Sequence, residues 1–303
     1  MRGGTCSPGK WVRRVLRRTV VNVEKVLIAG AGQMGAGIAQ VAAQAGLAVV
    51  MTDVADEFIA RGVDAIRKNL ARQVEKGKLQ PAESEAVFAR ITTSLDLAAG
   101  ADADLFIEAA PEVLAVKREL LEAAAQTLRP EAVLATNTSS LSVTKLATYT
   151  GRPQSFVGIH FFNPVPAMAL VEVVRGLETS DETVATARAF AERCGKTPIT
   201  VADSPGFVVN RILFPMINEA VFALQEGVAS AEEIDAGMKL GANHPMGPLA
   251  LADLVGLDTT LAILETLHGE LGDPKYRPCP LLRRYVAAGK LGRKAGAGFY
   301  SYR

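Results

Sequence analysis

Apolar and polar positions change period several times along this chain, and each change marks an element. Val26 to Ala29 is an unbroken apolar run, the pattern of a strand buried on both faces. Gly30, Gly32 and Gly35 interrupt it, and small apolar residues then recur at helical spacing as far as Gly46. "LAVVMTD" is a second apolar run that closes on Asp53. Together these predict a strand–helix–strand unit. "DEFIARGVDAIRKNLARQVEKGKLQ" reads as a polar helix, "RITTSLDL" and "ADLFIEAAPE" as strands, "EVLAVKRELLEAAAQTL" as a helix and "AVLATNTSS" as a strand. "SFVGIHFF" and "ALVEVVRG" predict two more strands, followed by a helix from about Asp181 to Cys194 and the strand "TPITVAD". Alternation of this kind predicts an α/β fold with a doubly wound, mostly parallel sheet and helices on both faces.

From Phe207 the strand signals cease. "NRILFPMINEAVFALQEG" has helical spacing, and "SAEEIDAGMKLG" offers a serine cap with a glutamate three residues on, the signature of a capping box. The expected division is an α/β domain over residues 23–205 and a smaller all-α domain over 206–303. A length of 303 residues fits two domains at about 150 residues each. Residues 1–22 differ from both. They hold Arg2, Lys10, Arg13, Arg14, Arg17 and Arg18 and no acid. In a helix Trp11, Val12, Val15 and Leu16 would share one side, as in a transit peptide or a membrane-surface helix. The simpler expectation is a disordered basic tail outside the fold.

Composition narrows the function. Hydrophobic residues make up 49% and charged residues 21%, the balance of a soluble globular protein. A net charge of +1 provides no broad basic field for nucleic acid. No apolar stretch is long enough to span a membrane. Cys6, Cys194 and Cys279 show no paired spacing, which argues against a disulfide framework or a structural zinc site and for a reducing compartment. The cytoplasm is the expected location, with no metal.

Three groups of residues point to chemistry. The first is the G-x-G-x-x-G spacing of Gly30, Gly32 and Gly35, with a buried strand before it, a helix after it and Asp53 closing the next strand. In that setting Gly30 permits the tight turn, Gly32 admits a pyrophosphate, and Gly35 lets helix pack on strand. The free N–H groups of the helix face the phosphates. Asp53 would accept from ribose hydroxyls and repel a 2′-phosphate, so NAD is expected over NADP.

The second group is "HFFNPVPAMALVE". If the flanking strands pair antiparallel around a loop centred on Pro166, His160 falls directly opposite Glu172, with Cβ atoms about 5 Å apart. A carboxylate there fixes one imidazole tautomer and leaves the other nitrogen as a base; an ordinary structural pair is the alternative. The third group comprises "NTSSLS", placed just after a buried strand, and Asn210, which interrupts an apolar helical face. Both could hydrogen-bond a ligand at the carboxyl ends of the strands. Alone, they read equally as a helix cap and an interdomain contact.

The stretches "IAGAGQMGAGIAQVAA", "NTSSLSVTKLA", "GIHFFNPVPAMALVEVVRG", "SPGFVVNRILFPMINEA", "KLGANHPMGPLALADLVGLD" and "LGRKAGAGFY" together resemble the 3-hydroxyacyl-CoA dehydrogenase family, and within it the bacterial 3-hydroxybutyryl-CoA dehydrogenases. The resemblance runs from about residue 24 to 303. It implies a Rossmann-type NAD domain followed by an α-helical domain that forms a homodimer. It implies reversible oxidation of (S)-3-hydroxyacyl-CoA, with His160 as base, Glu172 as its partner, and Ser139 and Asn210 at the substrate oxygen. The cofactor would lie along Gly30, Gly32, Gln33, Met34, Gly35 and Asp53, its nicotinamide near Glu112, Lys117, Asn137 and Asn163. Arg72 and Lys76, with Lys68 and Lys78, are candidates for the CoA end. A proline in "EAAPEVLAV" and the basic tail depart from the family pattern. A longer or polar substrate such as 3-hydroxyadipyl-CoA, or a non-catalytic crystallin-like relative, are the alternatives.

Overall fold

The computed structural model describes residues 21–302; the basic tail of residues 1–20 lies outside the described residues. Eight strands form one sheet in the order β3-β2-β1-β4-β5-β6-β7-β8. They are β1 Lys25–Ala29, β2 Ala48–Thr52, β3 Ile91–Ser94, β4 Leu105–Glu108, β5 Val133–Thr136, β6 Phe156–Phe161, β7 Leu170–Arg175 and β8 Thr197–Ala202. β1 to β6 run parallel, β7 turns antiparallel against β6, and β8 is parallel to β7. The chain order reverses between β1 and β4. That reversal opens a crevice at the carboxyl ends of the strands, where ligands of such sheets collect.

Alternation along β1 shows why the apolar runs are continuous. Val26 and Ile28 join one core with α1 (Gln33–Gln44), α2 (Asp56–Glu75), α3 (Pro81–Phe88) and α6 (Asp181–Arg193). Leu27 and Ala29 join the other, with α4 (Leu114–Thr127) and α5 (Val143–Thr148). The two faces are both covered, so neither requires polar residues. Two helices fall where the sequence pattern shows none. The polar helix predicted through Gln80 ends at Glu75, and α3 starts afresh with Pro81 at its first turn and a capping box between Gln80 and Glu83. α5 follows the NTSSLS segment, with Ser142 accepting from the Lys145 amide. Val21, counted with the tail in the sequence, packs on the first core and donates its amide to Thr186 Oγ1 at 3.0 Å.

The remaining helices, α7 Val209–Gln225, α8 Ala231–Gly241, α9 Pro248–Val255, α10 Leu257–Leu271 and α11 Pro280–Ala287, surround a third core. Only isolated bridges among Gly292, Ala297 and Ser301 add β-type pairing among the described residues of this part. Its C-terminal turn is tied down by one buried acid. Asp253, 0% exposed, accepts from the amides of Phe299 and Tyr300 at 3.0 and 2.9 Å and from the Tyr302 hydroxyl at 3.0 Å. Asp253→Ala orphans all three donors and should cost about 3 kcal/mol, seen as a lower urea midpoint at unchanged slope. Glu122→Ala, which breaks only the exposed pair with Arg118, should change stability by less than about 1 kcal/mol.

Candidate active site

At the carboxyl end of β1 the backbone makes room for a ligand. Gly30 has φ +108°, and a Cβ there would stand 2.5 Å from the Ala109 carbonyl oxygen. A Cβ on Gly35 would lie 1.8 Å from the Gly30 oxygen. Those two glycines are dictated by the fold. Gly32 is different, because nothing lies within 4 Å of where its Cβ would be. α1 begins there with no side-chain cap and no acid in its first turn, so its N–H groups are available to an anion. Asp53 Oδ2 accepts from the Ala31 amide at 2.7 Å, and Oδ1 from the Val54 amide at 2.7 Å. The acid expected at the ribose therefore also braces the glycine loop. Its oxygens retain lone pairs for further donors.

A cavity of about 290 Å³ adjoins this loop, lined by Met34 from α1 and by Glu112, Lys117, Asn137, Ser139, His160, Asn163 and Asn210, among others. The register of β6 and β7 sets His160 opposite Glu172, as the loop arithmetic predicts. His160 Nδ1 lies 2.8 Å from Glu172 Oε2. Glu172 Oε1 accepts from the amides of Val208 and Val209, both at 3.0 Å. These amides are the N-terminus of α7, the positive end of a 17-residue helix. Burial alone would raise the Glu172 carboxyl, but the His160 hydrogen bond and the two amides outweigh it and hold it below the ordinary range. An ionised Glu172 accepts a hydrogen bond from Nδ1–H, and this tautomer turns the Nε2 lone pair toward the cavity. The ring is fixed further by Phe162 and Phe207, at centroid distances of 4.5 and 5.6 Å.

The NTSSLS segment hangs between two acids. Glu112 accepts from the amides of Ser139 and Ser140 at 3.0 and 3.1 Å, from Ser140 Oγ at 2.9 Å and from Thr138 Oγ1. Burial pushes the Glu112 carboxyl up, yet the charge of Lys117 and these donors bring it below its usual value. On the far side Asp203 accepts from Ser142 Oγ and from the amides of Val143 and Thr144 at 2.8, 3.1 and 2.8 Å. Asn137 Oδ1 accepts from the Phe161 amide at 2.9 Å, so its amide group is oriented by the end of β6. Lys117 is 1% exposed and meets Glu108 at 2.6 Å and Glu112 at 3.1 Å.

The fold thus brings together the predicted His160, Glu172, Ser139, Asn210, Glu112, Lys117, Asn137 and Asn163, with Met34 as the link to the glycine loop. Arg72 in the last turn of α2 and Lys76 just after it are exposed and do not line this cavity. Glu108 and the Val208 and Val209 amides were not anticipated. Glu108 has a sequence signal, an acid closing the apolar run "LFIE", because a buried acid demands partners. The two amides have none, since every residue carries one.

A glycine-loop crevice that leads into a cavity lined by an oriented histidine defines an NAD-binding oxidoreductase. Its family is equally plain: residues 25–204 match the 3-hydroxyacyl-CoA dehydrogenase NAD-binding domain, residues 206–302 match the C-terminal domain, and the chain belongs to the 3-hydroxyacyl-CoA dehydrogenase family. It is 52% identical over 281 residues to the 3-hydroxybutyryl-CoA dehydrogenase of Bradyrhizobium diazoefficiens, covering 93% of this chain and 96% of that one. Its identity to the mitochondrial hydroxyacyl-coenzyme A dehydrogenase of Sus scrofa is 42% over 288 residues, 93% of this chain and 92% of the relative. The crystal structure of (S)-3-hydroxybutyryl-CoA dehydrogenase from Ralstonia eutropha superposes with a TM-score of 0.92 at 53% identity, covering 93% of this chain and all of that one.

The lowered Glu172 carboxyl sets a pH signature. Its contribution to stability is present above the ordinary value of 4.5 and is lost as pH falls through the lower folded value. Glu172→Gln should therefore cost about 2 kcal/mol at pH 7, with the gap to the wild type closing below pH 4.5. Urea unfolding from pH 7 to 3 measures it; a gap that widens on acidification would overturn the assignment.

Proposed function

We propose that this enzyme interconverts (S)-3-hydroxyacyl-CoA, with 3-hydroxybutyryl-CoA as the favoured substrate, and 3-ketoacyl-CoA. The observation that carries this reading is the His160–Glu172 pair, buried and opening on the same cavity as Ser139, Asn210 and Met34. His160 Nε2 takes the hydroxyl proton as the C3 carbonyl forms, and in reduction returns it. Glu172, already ionised, stabilises the imidazolium without moving. Ser139 and Asn210, one from each domain, orient the substrate oxygen so that its proton points at Nε2. Bound NAD supplies the two-electron acceptor, losing the positive charge of its ring when reduced. Gly30, Gly32, Gln33, Gly35 and Asp53 hold its adenosine and phosphate parts, and Glu112, Asn137 and Asn163 flank the nicotinamide.

The cavity lies at the small end of the usual range for ligand pockets, which suits a short acyl group beside the ring and supports 3-hydroxybutyryl-CoA over 3-hydroxyadipyl-CoA. The CoA end then leaves the cavity, with Arg72 and Lys76 at the end of α2 as the cations for its phosphates. Exposed Ile212, Val228 and Leu240 on the helical domain support a homodimer through that domain, and the cytoplasm is the location proposed for it. No helix among the described residues is long and apolar enough to cross a membrane.

His160→Gln should lower turnover by about 10² to 10⁴, the worth of acid–base catalysis, with NADH affinity nearly unchanged. Following NADH oxidation with acetoacetyl-CoA gives the first number and fluorescence titration the second. Near-normal turnover in the variant would refute the assignment, and kcat/KM across a series of acyl lengths tests the preference for a short chain.

A further inference from the structure

β4 ends on a carboxylate withdrawn from solvent. Glu108 is 0% exposed and does not line the cavity. It accepts from Thr136 Oγ1, the Ala110 amide and Lys117 Nζ, each at 2.6 Å. Its Oε1 meets two N–H donors, one of them the Lys117 ammonium, and its Oε2 meets the Thr136 hydroxyl. Lys117 donates to Glu108 and to the Ala110 carbonyl at 3.2 Å, and its ammonium stands 3.1 Å from Glu112. Two carboxylates around one ammonium carry a single net negative charge, and Glu112 and Lys117 bring it to the wall of the cavity that holds His160.

The oxidised and reduced cofactors differ by one positive charge on the nicotinamide ring. The ring belongs in this cavity, because the carbon that gives up its hydrogen must reach both the ring and His160. We propose that the Glu108–Lys117–Glu112 trio sets the redox poise of the bound cofactor, its net negative charge favouring the oxidised form, with Glu108 a positioning residue that supplies charge without touching the ligand. The inference rests on the placement of the ring given under the proposed function. It gives the two carboxylate centres complementary roles. Before alcohol oxidation the positive charge is on the ring, beside the trio; afterwards it is on His160, beside Glu172. Each location has its own anion, so the charge moves between two prepared positions.

The test is the ratio of NAD⁺ to NADH affinity, measured without substrate by calorimetry and by fluorescence. Removing one negative charge close to the ring should change that ratio about tenfold. Glu108→Gln and Glu112→Gln should each weaken NAD⁺ relative to NADH by this amount, raising the potential of the bound couple by about 30 mV. Thr136→Val removes a hydrogen bond to Glu108 but no charge, and should leave the ratio alone while lowering stability. A folded Glu108→Gln protein with an unchanged ratio overturns the proposal, as does a Thr136→Val shift of equal size. Should Glu108→Gln fail to fold, the ratio in Glu112→Gln decides. Equal loss of both affinities in Glu112→Gln keeps the ring in the cavity and overturns the poise. No change in either affinity overturns the placement itself, and the poise with it.

Discussion

Glu172 accepts hydrogen bonds from two elements that lie far apart in the chain, and the active site depends on that convergence. One donor is His160, on the neighbouring strand. The other two are the first amides of α7, in the helical domain. The same carboxylate therefore orients the imidazole and docks the second domain. A buried acid with fewer donors would more readily hold a proton and lose both functions. The position of Asn210 follows from this docking, since it sits one residue beyond the amides that Glu172 grips. His160 on the sheet and Asn210 on α7 thus reach the same cavity through one anchor.

A second constraint acts on the loop after β5. Glu112 and Asp203 hold its two ends through backbone amides and hydroxyls. Ser139 lies close to the first of these ties, so its position depends on acids rather than on packing. That explains why a polar, turn-like sequence can serve as a rigid part of a site. It also explains why so many charges are tolerated near the cavity. Each is surrounded by donors or acceptors, and Lys117 is the extreme case.

Most of this arrangement is legible in the sequence because it rests on period and spacing. The continuous apolar runs mark strands covered on both faces, and the loop centred on Pro166 fixes the His160–Glu172 register by arithmetic alone. α3 and α5 escape for a local reason. Each is short, and α3 is announced by a proline and a Gln–Glu capping box rather than by an apolar stripe. The docking of Val21 also escapes, since a single valine and one backbone amide leave no periodic trace. Two of the three donors at Glu172 are backbone amides, which residue identity does not encode. The resemblance supplies residue roles at the cavity but not Glu108, whose importance appears only when its three donors are seen together.

The brace between Asp53 and the Ala31 amide bears on how this enzyme could evolve. The acid that would discriminate against a phosphorylated ribose is also a strut of the loop that receives the pyrophosphate. Cofactor preference and loop rigidity are therefore inherited together. A lineage moving toward the phosphorylated dinucleotide could not exchange the acid for a residue without a side-chain oxygen and keep the brace. It would have to remove the charge while retaining an acceptor for the Ala31 amide. Such coupling makes the present cofactor choice an entrenched trait of the scaffold.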